Sequence, residues 1–243
     1  MTRFLPQRKR CGVDVTGFLH DISILALPIL IAVTFHEVSH GLVAKWFGDD
    51  TAYRAGRINF NPLRHVDPFG TIILPAILFY ATRHMGGFLF GYAKPVPVNF
   101  ARLRNPKRDM IWVAAAGPIM NILLAIAAGF LLHIVPFFPS LVVRWADANL
   151  QNSIYINIML AVFNMLPLPP LDGGRVLVGL LPVPLARPVA RLERWGFLIL
   201  IAALIILPML GQQMGTDLNV VSWLIRWPYE QLSDWVLRLT GNQ

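Results

Sequence analysis

The stretch "ILIAVTFHEVSHGLVAKWFG" (29–48) is apolar enough to enter a lipid bilayer, yet three ionisable side chains interrupt its middle. These side chains are His36, Glu37 and His40. Ionisable groups within a membrane segment cost about 2.5 kcal/mol or more each, and they normally mark function. A helix of the core with hydrogen-bonded histidines is the structural alternative, but it does not explain a carboxylate at this depth. The stretch therefore predicts a membrane helix that carries a chemical site.

The spacing of the two histidines specifies what kind of site this is. His36 and His40 are four residues apart, so on a helix they lie on one face, one turn apart. That arrangement lets two imidazoles bind one Zn²⁺, while Glu37 lies beside the metal and acts as the general base for a water molecule. We therefore predict one zinc ion per chain. A hydrolytic zinc also needs a third protein ligand and an open coordination position.

The composition agrees with a membrane protein. Of the 243 residues, 56% are hydrophobic and only 14% are charged, whereas soluble domains have about 25% charged residues. The mean hydropathy is +0.57. The chain has a single cysteine, so neither an internal disulfide nor an all-cysteine metal site can form.

Five apolar segments follow one another along the chain, and each approaches the length needed to span a bilayer. They cover residues 18–47, 69–84, 111–138, 154–168 and 195–210. Two stretches between them, 53–68 and 86–100, combine Gly, Pro and alternating apolar residues, a pattern that indicates strands or hairpins. The sequence thus predicts an all-α polytopic membrane protein with about five to six transmembrane helices and a short membrane-associated β-hairpin region.

The net charge of +8 is concentrated in clusters at 3–10, 101–108 and 175–194. Nucleic acid could be the partner of such clusters, but their position beside apolar segments favours cytoplasmic loops and no nucleic acid partner. The basic N-terminus resembles a secretory signal. Cleavage after its apolar run would sever the histidine motif, so we expect an uncleaved membrane segment. The tail at 212–243 has three tryptophans among apolar and basic residues, which predicts an interfacial amphipathic helix.

Asp172 is the most promising third ligand. It follows Pro167, Pro169 and Pro170, which end the fourth apolar segment, and it precedes two glycines. Prolines end the helix and glycines let the backbone turn, so a carboxylate can be presented at membrane depth. An ordinary turn after a helix is the alternative, but it does not explain so many prolines.

Three motifs in this order resemble the site-2 protease family of intramembrane zinc metallopeptidases, in particular its small members without PDZ or CBS domains. The motifs are "HEVSH" (36–40), "AGPIMN" (116–121) and "NMLPLPPLDGGR" (164–175). The resemblance implies zinc ligands at His36, His40 and Asp172. It also implies that Glu37 is the catalytic base and that Asn164 stabilises the oxyanion, as an amide donor can.

A further stretch, "GYAKPVPVNF" (91–100), resembles the hairpin with which this family holds its substrate as an added strand. The resemblance therefore implies a set of substrate-binding residues in this chain. They are Lys94, Pro95, Val96, Pro97, Val98 and Asn99.

The function implied by the resemblance is zinc-dependent endoproteolysis within the cell (inner) membrane by a multi-pass catalytic domain at 1–211. The partners would be the lipid bilayer and a membrane protein substrate with a transmembrane helix; substrate identity and oligomeric state stay open. One alternative is a catalytically silent zinc-binding membrane protein that binds transmembrane helices. Another is a metal transporter, which would require ionisable residues along several spans.

Overall fold

The structure is a computed structural model that describes residues 15–74, 77, 80, 91 and 94–243. Within these residues the fold is built from α-helices and shorter helical turns, and no β-strand is present. The α-helices in chain order are α1 (Val15–Trp46), α2 (Thr51–Arg54), α3 (Pro106–Leu132), α4 (Ser140–Asn164), α5 (Asp172–Leu180), α6 (Val183–Arg191), α7 (Glu193–Ile201), α8 (Leu207–Met214) and α9 (Val220–Thr240).

Three helical segments of the described chain are long and apolar enough to cross a membrane. They are Ile22–Trp46 in α1, Pro106–Leu132 in α3 and Glu193–Met214, which joins α7 and α8 through a π-helical turn. The prediction of a helical membrane protein is confirmed, and these spans match three of the predicted segments. The predicted count of five to six spans is not supported, because the described residues contain three candidates.

The two remaining apolar segments differ from prediction for separate reasons. Residues 154–164 form the second half of α4, and residues 165–168 belong to the loop that follows it. The first half of α4 carries polar residues such as Arg144, Asp147 and Gln151, and this helix is not among the three candidate spans. Segment 69–84 begins in a π-helical turn, Pro68–Ile73, and residues 81–84 lie outside the described residues.

The prediction of a strand or hairpin at 53–68 is wrong. The stretch contains the end of α2 and a 3₁₀ turn, Pro62–Arg64, before the π-helical turn begins. The side chain of Asn61 accepts a hydrogen bond from the N–H of Leu63, and that of Asp67 accepts one from Gly70. An Asn or Asp cap followed by proline is a helix-start signal, and here it outweighs the alternating pattern.

The β-hairpin predicted at 86–100 is also not supported. Residues 86–90, 92 and 93 lie outside the described residues, and Phe100–Arg102 forms a 3₁₀ turn. Residues 94–99 have no regular secondary structure and no paired strand, and the backbone at Asn99 is extended. Pro95 and Pro97 remove two N–H groups from any ladder, and the other N–H groups that are bonded go to carboxylates and a loop carbonyl.

Helix α3 lies at the centre of the bundle and packs against α1, α4 and α5. The main core lies where α3 and α4 meet α9, and it includes Ala125, Ile158 and Val236, all buried. Because α1 and α5 both pack on α3, the two histidines of α1 and Asp172 of α5 come together although they are far apart in sequence.

Helix α9 forms most of the predicted interfacial tail, and one of its faces belongs to the core. Its C-terminal end is fixed by Asn242, whose Nδ2 donates to the carbonyl oxygen of Gly129 in α3 at 2.8 Å. Trp223, Trp227 and Trp235 are exposed on the opposite side. The helix is thus amphipathic, and its place at a membrane interface stays a prediction.

Candidate metal centre

His36 and His40 lie one turn apart on α1, inside a candidate membrane span. Their rings meet edge to face, with centroids 4.7 Å apart. The two Nε2 atoms are 3.1 Å apart, and both residues are buried. The spacing predicted from the sequence therefore brings two imidazole nitrogens to one point.

The side chain of Asp172 reaches the same point, although Asp172 is far from the two histidines in sequence. It is the first residue of α5, after a tight loop at 165–171 that follows the end of α4. A Cβ atom on Gly173 would lie 2.2 Å from the carbonyl oxygen of Met165, so only glycine lets the new helix pack on this loop. Oδ2 of Asp172 is 3.2 Å from Nε2 of His36 and 3.3 Å from Nε2 of His40.

The hydrogen bonds behind the rings determine which nitrogen carries the proton. Nδ1 of His36 lies 2.6 Å from Oδ1 of Asn121, and Nδ1 of His40 lies 2.7 Å from the carbonyl oxygen of Val113. Both partners are acceptors, so each Nδ1 is the donor and each Nε2 of a neutral ring keeps its lone pair. This is the tautomer that binds a metal through Nε2.

The donor set fits a zinc ion. Two lone pairs and a carboxylate oxygen converge, and Oδ2 of Asp172 is buried without a hydrogen-bond donor. Such an arrangement is repulsive unless a cation lies between the three atoms. Ligands about 2.0–2.1 Å from a tetrahedral zinc are about 3.3 Å apart, close to the separations found here. His36, His40 and Asp172 therefore form a candidate metal site in the described part of the chain.

Helix α3 packs directly against the two imidazoles at Gly117, which has no side chain. A Cβ atom there would lie 2.5 Å from Cε1 and 2.6 Å from Nε2 of His36, and 2.6 Å from Nε2 of His40. No side chain fits without moving the imidazoles. The "AGPIMN" motif thus contributes a close approach at Gly117 and a hydrogen-bond acceptor at Asn121, roles that its letters alone did not specify.

Glu37, the predicted catalytic base, follows directly after His36 and is partly exposed. Its Oε2 accepts a hydrogen bond of 2.8 Å from the backbone N–H of Val96. The carboxylate thus makes contact with the segment that was predicted to bind substrate, and its role as a base stays a prediction.

Asn164, the predicted oxyanion donor, is the last residue of α4, and its Nδ2 donates to the carbonyl oxygen of Leu160 at 3.0 Å. Within the described part of the chain, its side chain forms no hydrogen bond with the three candidate ligands. Among the other histidines, His65 and His133 bond to backbone carbonyl oxygens away from the site, and His84 lies outside the described residues.

The segment formed by residues 94–99 is anchored at both ends. The N–H of Lys94 donates to the carbonyl oxygen of His65 at 2.9 Å, and Arg57 donates to the carbonyl oxygen of Lys94 at 2.8 Å. At the other end the N–H of Asn99 donates to Oδ2 of Asp49 at 2.6 Å.

Asp49 is fully buried, and its other oxygen accepts from both the N–H and the hydroxyl of Thr51. Burial alone would raise the pKa of Asp49, but these hydrogen bonds and the charge of Arg102 outweigh it and lower the pKa below its ordinary value. Asp49 was not singled out from the sequence, since an Asp after a helix reads as an ordinary turn residue.

Comparison with known proteins agrees with this geometry. The model of "Peptidase family M50" matches residues 24–147 and 140–207, which contain the histidine motif, the α3 motif and Asp172. The chain belongs to peptidase family M50. The resemblance to zinc metallopeptidases read from the motifs is thereby confirmed, and the M50 peptidase is a zinc metalloprotease.

Relatives of the M50 peptidase occur in bacteria and archaea. "Putative zinc metalloprotease YwhC" of Bacillus subtilis is 36% identical over 179 residues, which are 72% of this chain and 77% of that protein. "Putative zinc metalloprotease Rip2" of Mycolicibacterium smegmatis is 30% identical over 72% of this chain and 64% of its own length. "Putative zinc metalloprotease MJ0611" of Methanocaldococcus jannaschii is 33% identical over 65% and 73%. No solved structure matches the chain.

Proposed function

We propose that this metalloprotease is an intramembrane endopeptidase that cleaves a transmembrane segment of a membrane protein substrate. One observation carries the proposal: Nε2 of His36 and of His40, on a candidate span, lie within 3.3 Å of Oδ2 of Asp172. If these residues bind the metal, their position on a candidate span would put the chemistry at the depth of the bilayer. The catalytic domain would cover residues 1–211 in the cell (inner) membrane, and the 212–243 tail would lie at the interface.

The chemistry of each residue follows from its functional groups. Bound at this site, Zn²⁺ would lower the pKa of water towards 7 and polarise a substrate carbonyl. Glu37 is adjacent to the ligands, so its carboxylate can accept the proton of the attacking water and pass it to the leaving amine. Asn164 would donate its amide N–H to the developing oxyanion.

The geometry of residues 94–99 supports a role in holding the substrate. A helical substrate must unwind before hydrolysis, because its carbonyls are engaged in its own hydrogen bonds. Among the described residues, the N–H and C=O of Val98 and the C=O of Val96 form no hydrogen bond. In an extended strand, alternate residues point their N–H and C=O groups to the same edge. Val96 and Val98 would therefore present these groups on the edge where the Val96 N–H bonds to Glu37. An unwound substrate strand added here would lie beside the base.

The Glu37→Gln variant tests the proposal, since it keeps an oxygen for Val96 but cannot take a proton. Membrane fractions of cells with the wild type and with Glu37→Gln would be compared by mass spectrometry, with zinc content measured on the purified proteins. We expect transmembrane-derived fragments only with the wild type, and equal zinc content. Glu230→Gln, an exposed change on α9, is the matched control. Fragments that persist undiminished with Glu37→Gln would reject the mechanism.

A further inference from the structure

A chain of buried amides connects α4 to the candidate metal ligand on α1. Oδ1 of Asn157 in α4 lies 2.8 Å from Nδ2 of Asn121 in α3, and Oδ1 of Asn121 lies 2.6 Å from Nδ1 of His36. Asn121 and Asn157 are both fully buried. Two amides in series thus lie between a helix without a ligand and an imidazole that faces the metal site.

Every donor and acceptor in this chain is fixed by its neighbours. Nδ2 of Asn157 donates to the carbonyl oxygen of Ser153 at 2.8 Å, so its Oδ1 is free to accept from Asn121. Nδ2 of Asn121 donates to Asn157 and, at 3.3 Å, to the carbonyl oxygen of Ala32. Oδ1 of Asn121 must therefore face His36, where it accepts the Nδ1 proton. A flip of either amide would bring two donors or two acceptors into contact.

We propose that Asn157 is a positioning residue for His36. It holds the Asn121 amide in the one orientation that keeps the proton on Nδ1 and turns the Nε2 lone pair of His36 towards the metal. Partners of this kind orient the ring of a ligating histidine and increase its affinity for the metal. Asn157 touches neither the metal site nor His36, so its influence passes through Asn121.

The surroundings of Asn157 argue against a role in packing alone. It lies between Ile156 and Ile158, and Ile158 is fully buried in the main core. An apolar residue would fit the pattern of this helix, since a buried amide stabilises only when its groups are paired. A role confined to α4 would need only the bond to Ser153, whereas the bond to Asn121 leads out of the helix to the ligand.

The test is the zinc affinity of Asn157→Leu, which keeps the branched shape and the number of side-chain heavy atoms but removes the amide oxygen and nitrogen. Asn149→Leu is the matched control: Asn149 is also buried in α4, and its Nδ2 makes the same kind of bond, to the carbonyl oxygen of Trp145 at 2.8 Å. Competition with a chelator in detergent gives each dissociation constant for zinc. We expect a rise of roughly 10-fold to 100-fold for Asn157→Leu. The control should stay within about twofold, and equal constants for both variants would overturn the proposal.

A second background tests the route through Asn121. Asn121→Asp still accepts the His36 proton but no longer donates to Asn157, so Asn157→Leu should have little further effect on zinc affinity in that background. An undiminished effect there would show that Asn157 acts by another path and would overturn the proposal. If Asn157→Leu fails to fold, Asn157→Ser, which is too short to reach Asn121, takes its place with the same expected loss. Because the readout is zinc affinity, the result does not depend on whether cleavage occurs within the bilayer.

Discussion

The backbone N–H of Val96 donates a hydrogen bond of 2.8 Å to Oε2 of Glu37. One end of this bond lies in the segment proposed to hold the substrate, and the other is the carboxylate proposed to move the proton. The side chain of Val96 is buried, and its Cγ1 would be 3.0 Å from a Cβ atom on Gly41 of α1. Main chain and side chain together therefore fix the segment against the helix that carries the base.

Replacing Val96 by proline should impair cleavage without loss of zinc. Proline removes the N–H that orients the Glu37 carboxylate, and a hydrogen bond to a charged group contributes about 1.5–3 kcal/mol. We expect a rate of fragment formation roughly 10-fold to 100-fold lower, with unchanged zinc content by elemental analysis. Val96→Thr keeps the N–H and the branched shape and should cleave normally. A fully active Val96→Pro variant would show that this bond does not orient the base.

Gly117→Ala should abolish zinc binding, because the added methyl group would overlap the nitrogens of His36 and His40. Gly129→Ala is a matched control on the same helix, since its methyl group would lie 2.6 Å from Oγ1 of Thr240, far from the site. Both variants should lose stability, but only Gly117→Ala should lose zinc in elemental analysis. Full zinc content in Gly117→Ala would mean that α3 does not close over the imidazoles as described.

Asp172→Asn should lower zinc occupancy, because a neutral amide oxygen is a poorer zinc ligand than a carboxylate. Asp109→Asn is the comparison, since Asp109 is also buried but accepts its hydrogen bond from Asn105 at the start of α3. Zinc content and chelator competition would be measured for both variants. Retention of zinc by Asp172→Asn at the wild-type level would remove Asp172 from the ligand set.

The anchoring of residues 94–99 by Asp49 should depend on pH. The pKa of Asp49 is lower in the folded protein than in the unfolded chain, so the charged carboxylate stabilises the fold above the unfolded value of about 3.9. This contribution is lost as the pH falls through the lowered folded pKa. Asp49→Asn should therefore reduce Tm at pH 7, and the difference from wild type should shrink below about pH 4.

The neighbouring carboxylate Asp50 provides the control for this measurement. Asp50 pairs with Arg54 and Arg102 on the surface, where ion pairs contribute little to stability. Asp50→Asn should change Tm only slightly at either pH. A Tm difference for Asp49→Asn that is the same at pH 7 and pH 3 would contradict an ionised anchor.

The metal site could be predicted because its signals are local. His36 and His40 are one helical turn apart in the sequence, and the prolines before Asp172 mark a helix end that the structure places after Asn164. The family resemblance then joined these distant motifs. Ionisable side chains are unusual within apolar segments, which is why these candidate ligands could be recognised from the sequence alone.

The number of spans and the predicted strands could not be read so reliably. Helix α4 is continuous from Ser140 to Asn164, but hydropathy marked only its apolar second half. In residues 53–68, alternation suggested strands, whereas the caps at Asn61 and Asp67 start helical turns. Short-range capping decided the local structure against the longer pattern.

The partner behind His36 and the anchor of residues 94–99 were missed because both depend on contacts between elements that are distant in sequence. Asn157 is an isolated amide in an apolar run, and that irregularity was the only signal in the sequence. Asp49 looked like a turn residue, although its carboxylate accepts from Asn99, which is distant in sequence. Neither contact follows from spacing along one element.

The order of the three candidate ligands along the sequence determines when they can come together during synthesis of the chain. The two imidazoles are synthesised about 130 residues before the carboxylate that completes the triad. A nascent chain therefore holds an incomplete cluster during most of its translation, while α1 and α3 are already available for insertion. The three candidate ligands can therefore meet only after residue 172 has been synthesised.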